Sequence, residues 1–207
     1  MSADFERKYE SILSQERSLA KAVAYTLVQA KPMSVWEVTI PVVFILNYLN
    51  LKKTRELSAQ NFLFTKKLAL EAALDMTKND KKRNDVLCRL EGKTKSVLAG
   101  HDKGIYSEDI RQRQVQEIDF LIDHYCKLLR AEGQDHHSLV RQAYENKSSY
   151  IDFLKGLQEL EREVSLAAQQ TFGTEKAAEV VARMEEITEK VRMAEAEKIF
   201  GTIADAE

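Results

Sequence analysis

The sequence predicts an all-α fold: a helical bundle of about six helices with short connectors and a C-terminal antiparallel three-helix unit. Gly and Pro together make only 9 of 207 residues, against a usual share of about 12%. A β-sandwich or barrel needs those residues at many turns. Apolar residues recur at three- and four-residue spacing along most of the chain, which is the period of one helical face. The hydrophobic fraction, 44%, is ordinary, which excludes wholesale disorder. A chain of this length buries roughly 70% of its unfolded surface and needs no disulfide or metal to hold together.

In the first segment Phe5, Tyr9, Ile12, Leu13, Leu19, Val23 and Leu27 share one face, with Ser2 a candidate N-cap and Pro32 the stop. A second helix is expected from near Pro41 to about Lys78, and a third from Asp80 to Ala99, with Val86, Leu87, Leu90 and Val97 buried and Gly100 as its end. Ser107 caps the fourth helix, with Glu108 and Asp109 in its first turn, where the helix dipole favours anions. Its stripe is Ile110, Ile118, Leu121, Ile122, Tyr125, Leu128 and Leu129, and Gly133 closes it.

Asp135 then caps a fifth, long helix over 136–171. Ala143, Lys147, Tyr150, Leu154, Leu157, Glu161, Val164 and Ala168 alternate by four and three along it, a coiled-coil seam with two polar interruptions through which the chain could form an oligomer. Phe172-Gly173-Thr174 separates it from a sixth helix carrying Val181, Met184, Ile187, Val191 and Ala194. Met184 and Met193 read as packing residues. The connectors at Gly133-Gln134 and Gly173 are so short that residues 107–200 read as an antiparallel three-helix bundle. Residues 1–100 form an N-terminal helical region, and 201–207 a tail expected to fray.

Charge is unevenly distributed. Residues 1–51 are neutral, 52–95 carry +6 and 96–207 carry −8. A basic middle suits an anionic surface or partner. Cys88 and Cys126 are too few and too distant for a disulfide framework, and both read as reduced interior thiols. The opening MSADFERKYESIL is charged and lacks the apolar stretch of a secretory signal. Asn146-Lys147-Ser148 matches a glycosylation sequon and reads as chance. These features place the chain in the cytoplasm, with the inner face of the cell membrane within reach.

One segment departs from the amphipathic pattern. Residues 33–51 read MSVWEVTIPVVFILNYLNL, and from Val38 to Leu46 all but Thr39 and Pro41 are large and apolar. Nine helical residues reach about 14 Å, roughly half of a 30 Å hydrocarbon layer. A full crossing would place Glu37, Asn47 and Asn50 in lipid at a cost on the order of 1–3 kcal/mol each. Three readings follow: a buried core segment, a shallow membrane anchor, and a docking surface for another protein's helix. The docking set is Trp36, Val38, Ile40, Val42, Val43, Phe44, Ile45, Leu46 and Tyr48, with Trp36 and Tyr48 placed like interfacial aromatics. Lys52, Lys53, Arg55, Lys78, Lys81, Lys82 and Arg83 form the companion basic surface, each headgroup-adjacent base contributing about 1 kcal/mol.

The chemistry-bearing motifs sought are missing from the sequence. Gly92-Lys93-Thr94 resembles the end of a phosphate loop, but Leu87 stands where its first glycine should be, and no strand precedes it. No histidine among His101, His124, His136 and His137 has a Glu three residues earlier, as helical di-iron sites require; all four read as surface or capping residues. The basic stretch lacks interleaved aromatics for base stacking, so nucleic acid is not an expected partner. No catalytic residue, metal ligand or cofactor is therefore expected. The expected function is a non-enzymatic interaction or scaffold protein, bound peripherally to an anionic membrane surface or to another protein. The alternatives are a soluble adaptor or regulatory bundle with 33–51 in its core, and a helical metal or ligand carrier.

Overall fold

The computed structural model describes residues 2–29, 54–99, 107–172 and 175–201. Over these residues the apolar periodicity becomes seven helices and no strand. They are α1 (Ser2–Gln29), α2 (Thr54–Lys78), α3 (Arg83–Ala99), α4 (Glu108–Arg130), α5 (His136–Ala143), α6 (Lys147–Phe172) and α7 (Glu175–Phe200). The whole of 33–51, with Lys52 and Lys53, lies outside the described residues.

Short polar side chains set the helix starts. The Ser107 hydroxyl accepts the Ile110 N–H at 3.3 Å. The Asp135 carboxylate accepts the Ser138 N–H at 2.8 Å, while the Ser138 hydroxyl accepts the Asp135 N–H at 3.1 Å. This reciprocal box satisfies two donors that a helix start leaves free. Two expected boundaries move. α4 ends at Arg130 because Ala131 turns extended, at φ −64° and ψ 151°. Gly133 lies beyond the helix, where a Cβ would stand 2.6 Å from the Ser138 hydroxyl and 3.0 Å from the Leu139 N–H nitrogen. The α2–α3 turn uses Asp80 at φ 52°, which lets the Lys81 N–H turn back to the Asp75 carbonyl.

The helix expected over 136–171 is two helices. Tyr144 is extended, at φ −121° and ψ 130°, which ends α5. The Asn146 side chain then accepts the Ser149 N–H at 2.9 Å and opens α6 as a new cap. The expected seam faces inward: Tyr150, Leu154, Leu157, Val164 and Ala168 are buried, and α6 packs on α4 and α7 of the same chain.

Five helices close a ring. α1 packs on α2 and α7, α4 on α2 and α6, and α6 on α7. α3 lies outside against α2 and α4, and α5 touches α4, α7 and α1. One core cluster runs through both halves of the chain, uniting Ile12 and Leu70 with Leu121, Tyr125, Leu154 and Ile199. The α4 stripe is buried as its spacing predicts. The α7 stripe drifts: Val181, Met184 and Ile187 are buried, but Ala194 is exposed, and Arg192, Ala196 and Ile199 continue the inner face.

Cross-links give the chain directions. Lys78 pairs with Glu6 and Lys66 with Glu16, so α1 and α2 are antiparallel. Gln114 bonds Thr65 and Cys126 lies against Ala73, so α2 and α4 are parallel. Arg113 pairs with Glu163, Arg192 with Glu161 and Gln15 with Glu195. Arg111 reaches Thr94 of α3 at 3.5 Å. It follows that Gln29, Thr54, Ala99, Glu108, Phe172 and Glu175 all mark the same end of the bundle.

Leu121 is 1% exposed at the centre of this core. Leu121→Ala should lower unfolding free energy by about 3 kcal/mol, read as a fall in urea midpoint with an unchanged slope. Gly133→Ala should cost about 1 kcal/mol by displacing Ser138 from its capping box.

Candidate functional site

Each helix of the ring contributes one polar group to a cluster: the buried Lys66 of α2, Glu117 of α4 and Arg192 of α7, and the half-buried Glu16 of α1 and Glu161 of α6. Each sits on its helix's inner stripe, three or four residues from buried apolar neighbours such as Ile12, Ala69, Leu121, Leu157 and Ala196, so helical packing forces them together. The Arg192 guanidinium holds both Glu161 oxygens, at 2.6 and 2.7 Å. This two-pronged geometry is the strongest ion pair available to a carboxylate. Lys66 Nζ stands between Glu161 and Glu16, at 3.7 and 3.8 Å. The fully buried Tyr125 hydroxyl donates to Glu16 at 2.9 Å.

Two acids thus face two bases, and Glu117 is the fifth member. Burial and the nearby Glu161 charge push its carboxyl up to about 8. Burial also works against Glu161, but Arg192 and Lys66 hold it below the usual carboxylate range. The same burial depresses His124 and His136. Both were expected at the surface or in caps; instead they are 5% and 8% exposed. His124 Nδ1 lies 2.7 Å from the Tyr144 hydroxyl. His136 Nδ1 has no hydrogen-bond partner. His137 meets Glu195 at 2.7 Å.

Two small clefts flank the cluster. One, of about 50 Å³, is bordered by Glu117, Glu161, Ser165, Glu185 and Thr188. The other, of about 30 Å³, is bordered by Glu16, Lys66, His124, His136 and Arg192. Pockets for drug-sized ligands run to roughly 300–1,000 Å³, so these clefts suit a small ion or one small functional group. Among the described residues, no group of three or more His, Cys, Asp or Glu side chains is placed to hold a metal ion.

The docking residues Trp36, Val38, Ile40, Val42, Val43, Phe44, Ile45, Leu46 and Tyr48 lie outside the described residues. Of the expected basic surface, Lys52 and Lys53 also lie outside the described residues, and the described members are spread along α2. Arg55 opens α2, while Lys78, Lys81, Lys82 and Arg83 stand at its far end, about 36 Å away along 25 helical residues. Lys78 pairs with Glu6, Lys81 with Asp75, and Arg83 with Asp119 and Asp123; Lys82 is exposed. Among the described residues, no helix is long and apolar enough to cross a membrane. Cys126 is buried as expected, but Cys88 is exposed on α3. Gly92-Lys93-Thr94 lies within α3. The sequence reading registered Glu161 as a polar interruption of an apolar seam. It missed Glu16, Lys66, Glu117 and Arg192, whose signal is the same: a charge at a stripe position.

Glu117 gives this cluster a pH signature. Its folded carboxyl titrates near 8, against about 4.5 for the unfolded chain. The folded state therefore holds the extra proton between those values, and stability present below pH 4.5 is lost as pH rises toward 8. Glu117→Gln, which copies the neutral acid, should gain on the order of 2 kcal/mol over the wild type between pH 6 and 8. Paired urea titrations cancel the opposite slope contributed by the buried histidines. Arg192→Met should cost about 3 kcal/mol by leaving the half-buried Glu161 without its two-pronged partner.

The sequence matches no protein-family model, and comparison with curated proteins and with solved structures finds no similar protein.

Proposed function

We propose that this chain is a non-enzymatic helical interaction protein that docks peripherally on a membrane surface through the apolar run Val38–Leu46, at the cytoplasmic face. One observation carries this reading. α1 and α2 are packed, antiparallel neighbours, and adjacent packed helices lie about 8–10 Å apart. A connection of roughly 2–8 residues would join them. The chain spends 24 residues, 30–53, on that link, and they include its most apolar run. Connections of such length inside a compact domain are usually functional.

The end of the bundle supports the same reading. A second apolar cluster of Val23, Val181, Met184 and Ile187 gathers toward that end, and Leu166, 43% exposed, lies on the same part of α6. In this mechanism Val38–Leu46 inserts shallowly and Trp36 and Tyr48 sit at the headgroup level. Lys52, Lys53 and Arg55 provide the electrostatic part, at about 1 kcal/mol each. The far-end bases Lys78, Lys81, Lys82 and Arg83 take no part.

A second reading has one observation in its favour. The acids that occupy Lys78, Lys81 and Arg83 weaken the case for a broad headgroup surface. An adaptor or regulatory bundle with 33–51 inside its own core has no need of one.

Flotation with vesicles of mixed neutral and anionic lipid separates the two. The wild type should float with the vesicles, Ile45→Glu should remain at the bottom with unchanged helicity, and paired Lys52→Glu and Lys53→Glu should weaken binding. Lys81→Glu with Lys82→Glu should leave it unchanged. A wild type that never floats, together with an Ile45→Glu variant that unfolds, would establish the core reading instead.

A further inference from the structure

We propose that the cleft between α4, α6 and α7 is a binding site for a primary ammonium group, with the Glu117 carboxylate as its counter-anion. The inference starts from what the cleft lacks. Glu117 is 6% exposed and borders the cleft, yet no donor among the described residues hydrogen-bonds its carboxyl. The other four members of the cluster balance one another: Glu16 and Glu161 against Lys66 and Arg192. Glu117 feels Lys66 and Arg192 through charge, while the hydrogen bonds of Arg192 go to Glu161.

A second acceptor in the same cleft is also unmatched. Glu185 Oε1 is enclosed and has no hydrogen-bond partner. Buried acceptors left without donors are costly and rare. The missing partner is a donor with positive charge.

The chemistry around these two acids narrows its class. Ser165 and Thr188, 4% and 5% exposed, supply hydroxyl oxygens beside the carboxyls. An ammonium has three N–H donors to distribute over such acceptors. Val164 and Met184 provide an apolar wall for a short alkyl tail. The room, about 50 Å³, admits an ammonium head and little more. A divalent metal is disfavoured because no metal-holding set of three side chains exists among the described residues. Binding transfers the Glu117 proton to solvent and leaves a carboxylate–ammonium pair, so charge is conserved within the site.

Isothermal titration and thermal unfolding of the full chain test this, with methylammonium chloride as the probe at fixed ionic strength and near pH 7.5. Binding by two heavy atoms reaches a dissociation constant of about 6 mM at best. At about 100 mM probe that raises Tm on the order of 4 °C. Potassium and tetramethylammonium should give no saturable response, the second because it has no N–H to donate. Glu117→Gln should keep wild-type helicity and lose the response, and Glu185→Gln should weaken binding about tenfold. An equal shift with potassium or tetramethylammonium would overturn the proposal, as would an unchanged response in Glu117→Gln. Should Glu117→Gln fail to fold, wild-type affinity in Glu185→Gln overturns it. These outcomes are independent of vesicle flotation, so either proposal can fail alone.

Discussion

The ring of helices closes around charge, and that constraint reaches every other part of the structure. Glu16, Lys66, Glu117, Glu161 and Arg192 come from five different helices and from positions up to 176 residues apart in the chain. Sliding one helix by a single turn of about 5.4 Å removes its member from the cluster. It would leave a buried charge unpaired, at a cost of about 3–5 kcal/mol. Apolar stripes alone tolerate such slips better, because one leucine replaces another. The cluster therefore sets the register of α1, α2, α4, α6 and α7 together, while burial of Ile12, Leu121, Tyr125 and Ile199 supplies the driving force.

The same constraint explains why Glu117 differs from its neighbours. Arg192 and Lys66 pair with Glu161 and Glu16, and their attraction for a third carboxylate is outweighed by burial and by the Glu161 charge. Desolvation then decides in favour of the neutral acid. The balance of two bases against two acids is as much a feature of the fold as any apolar contact. It makes the centre of the bundle responsive to protons, while the apolar run Val38–Leu46 falls in sequence between α1 and α2.

Much of the architecture was legible in local patterns. The α4 stripe and its Ser107 cap could be read because each signal is complete within a few residues. So could the Asp135 cap. The break at Tyr144–Asn146 was hidden because the four-and-three spacing runs across it, from Ala143 through Lys147 to Tyr150; the clue was Asn146, which looked like a sequon and acts as a cap. His124 and His136 were misplaced because their burial depends on partners from other helices. Arg55 was grouped with Lys78, Lys81, Lys82 and Arg83 because charge was summed along the chain. Nearly the whole length of α2 lies between Arg55 and that group, and acids from α1, α2 and α4 pair with Lys78, Lys81 and Arg83. The central cluster shows the general limit: a charge on an apolar stripe is visible in one helix, but its partners are chosen only when five helices meet.

The carbon-detected NMR titration of the Glu117 carboxyl tests this account most directly, since it reads the charge balance of the cluster at its fifth member. The account predicts a midpoint near 8 in the folded protein. A midpoint near that of an exposed glutamate, about 4.3, would mean that Glu117 has solvent or a base beside it, and that the ring does not close around a balanced set of charges.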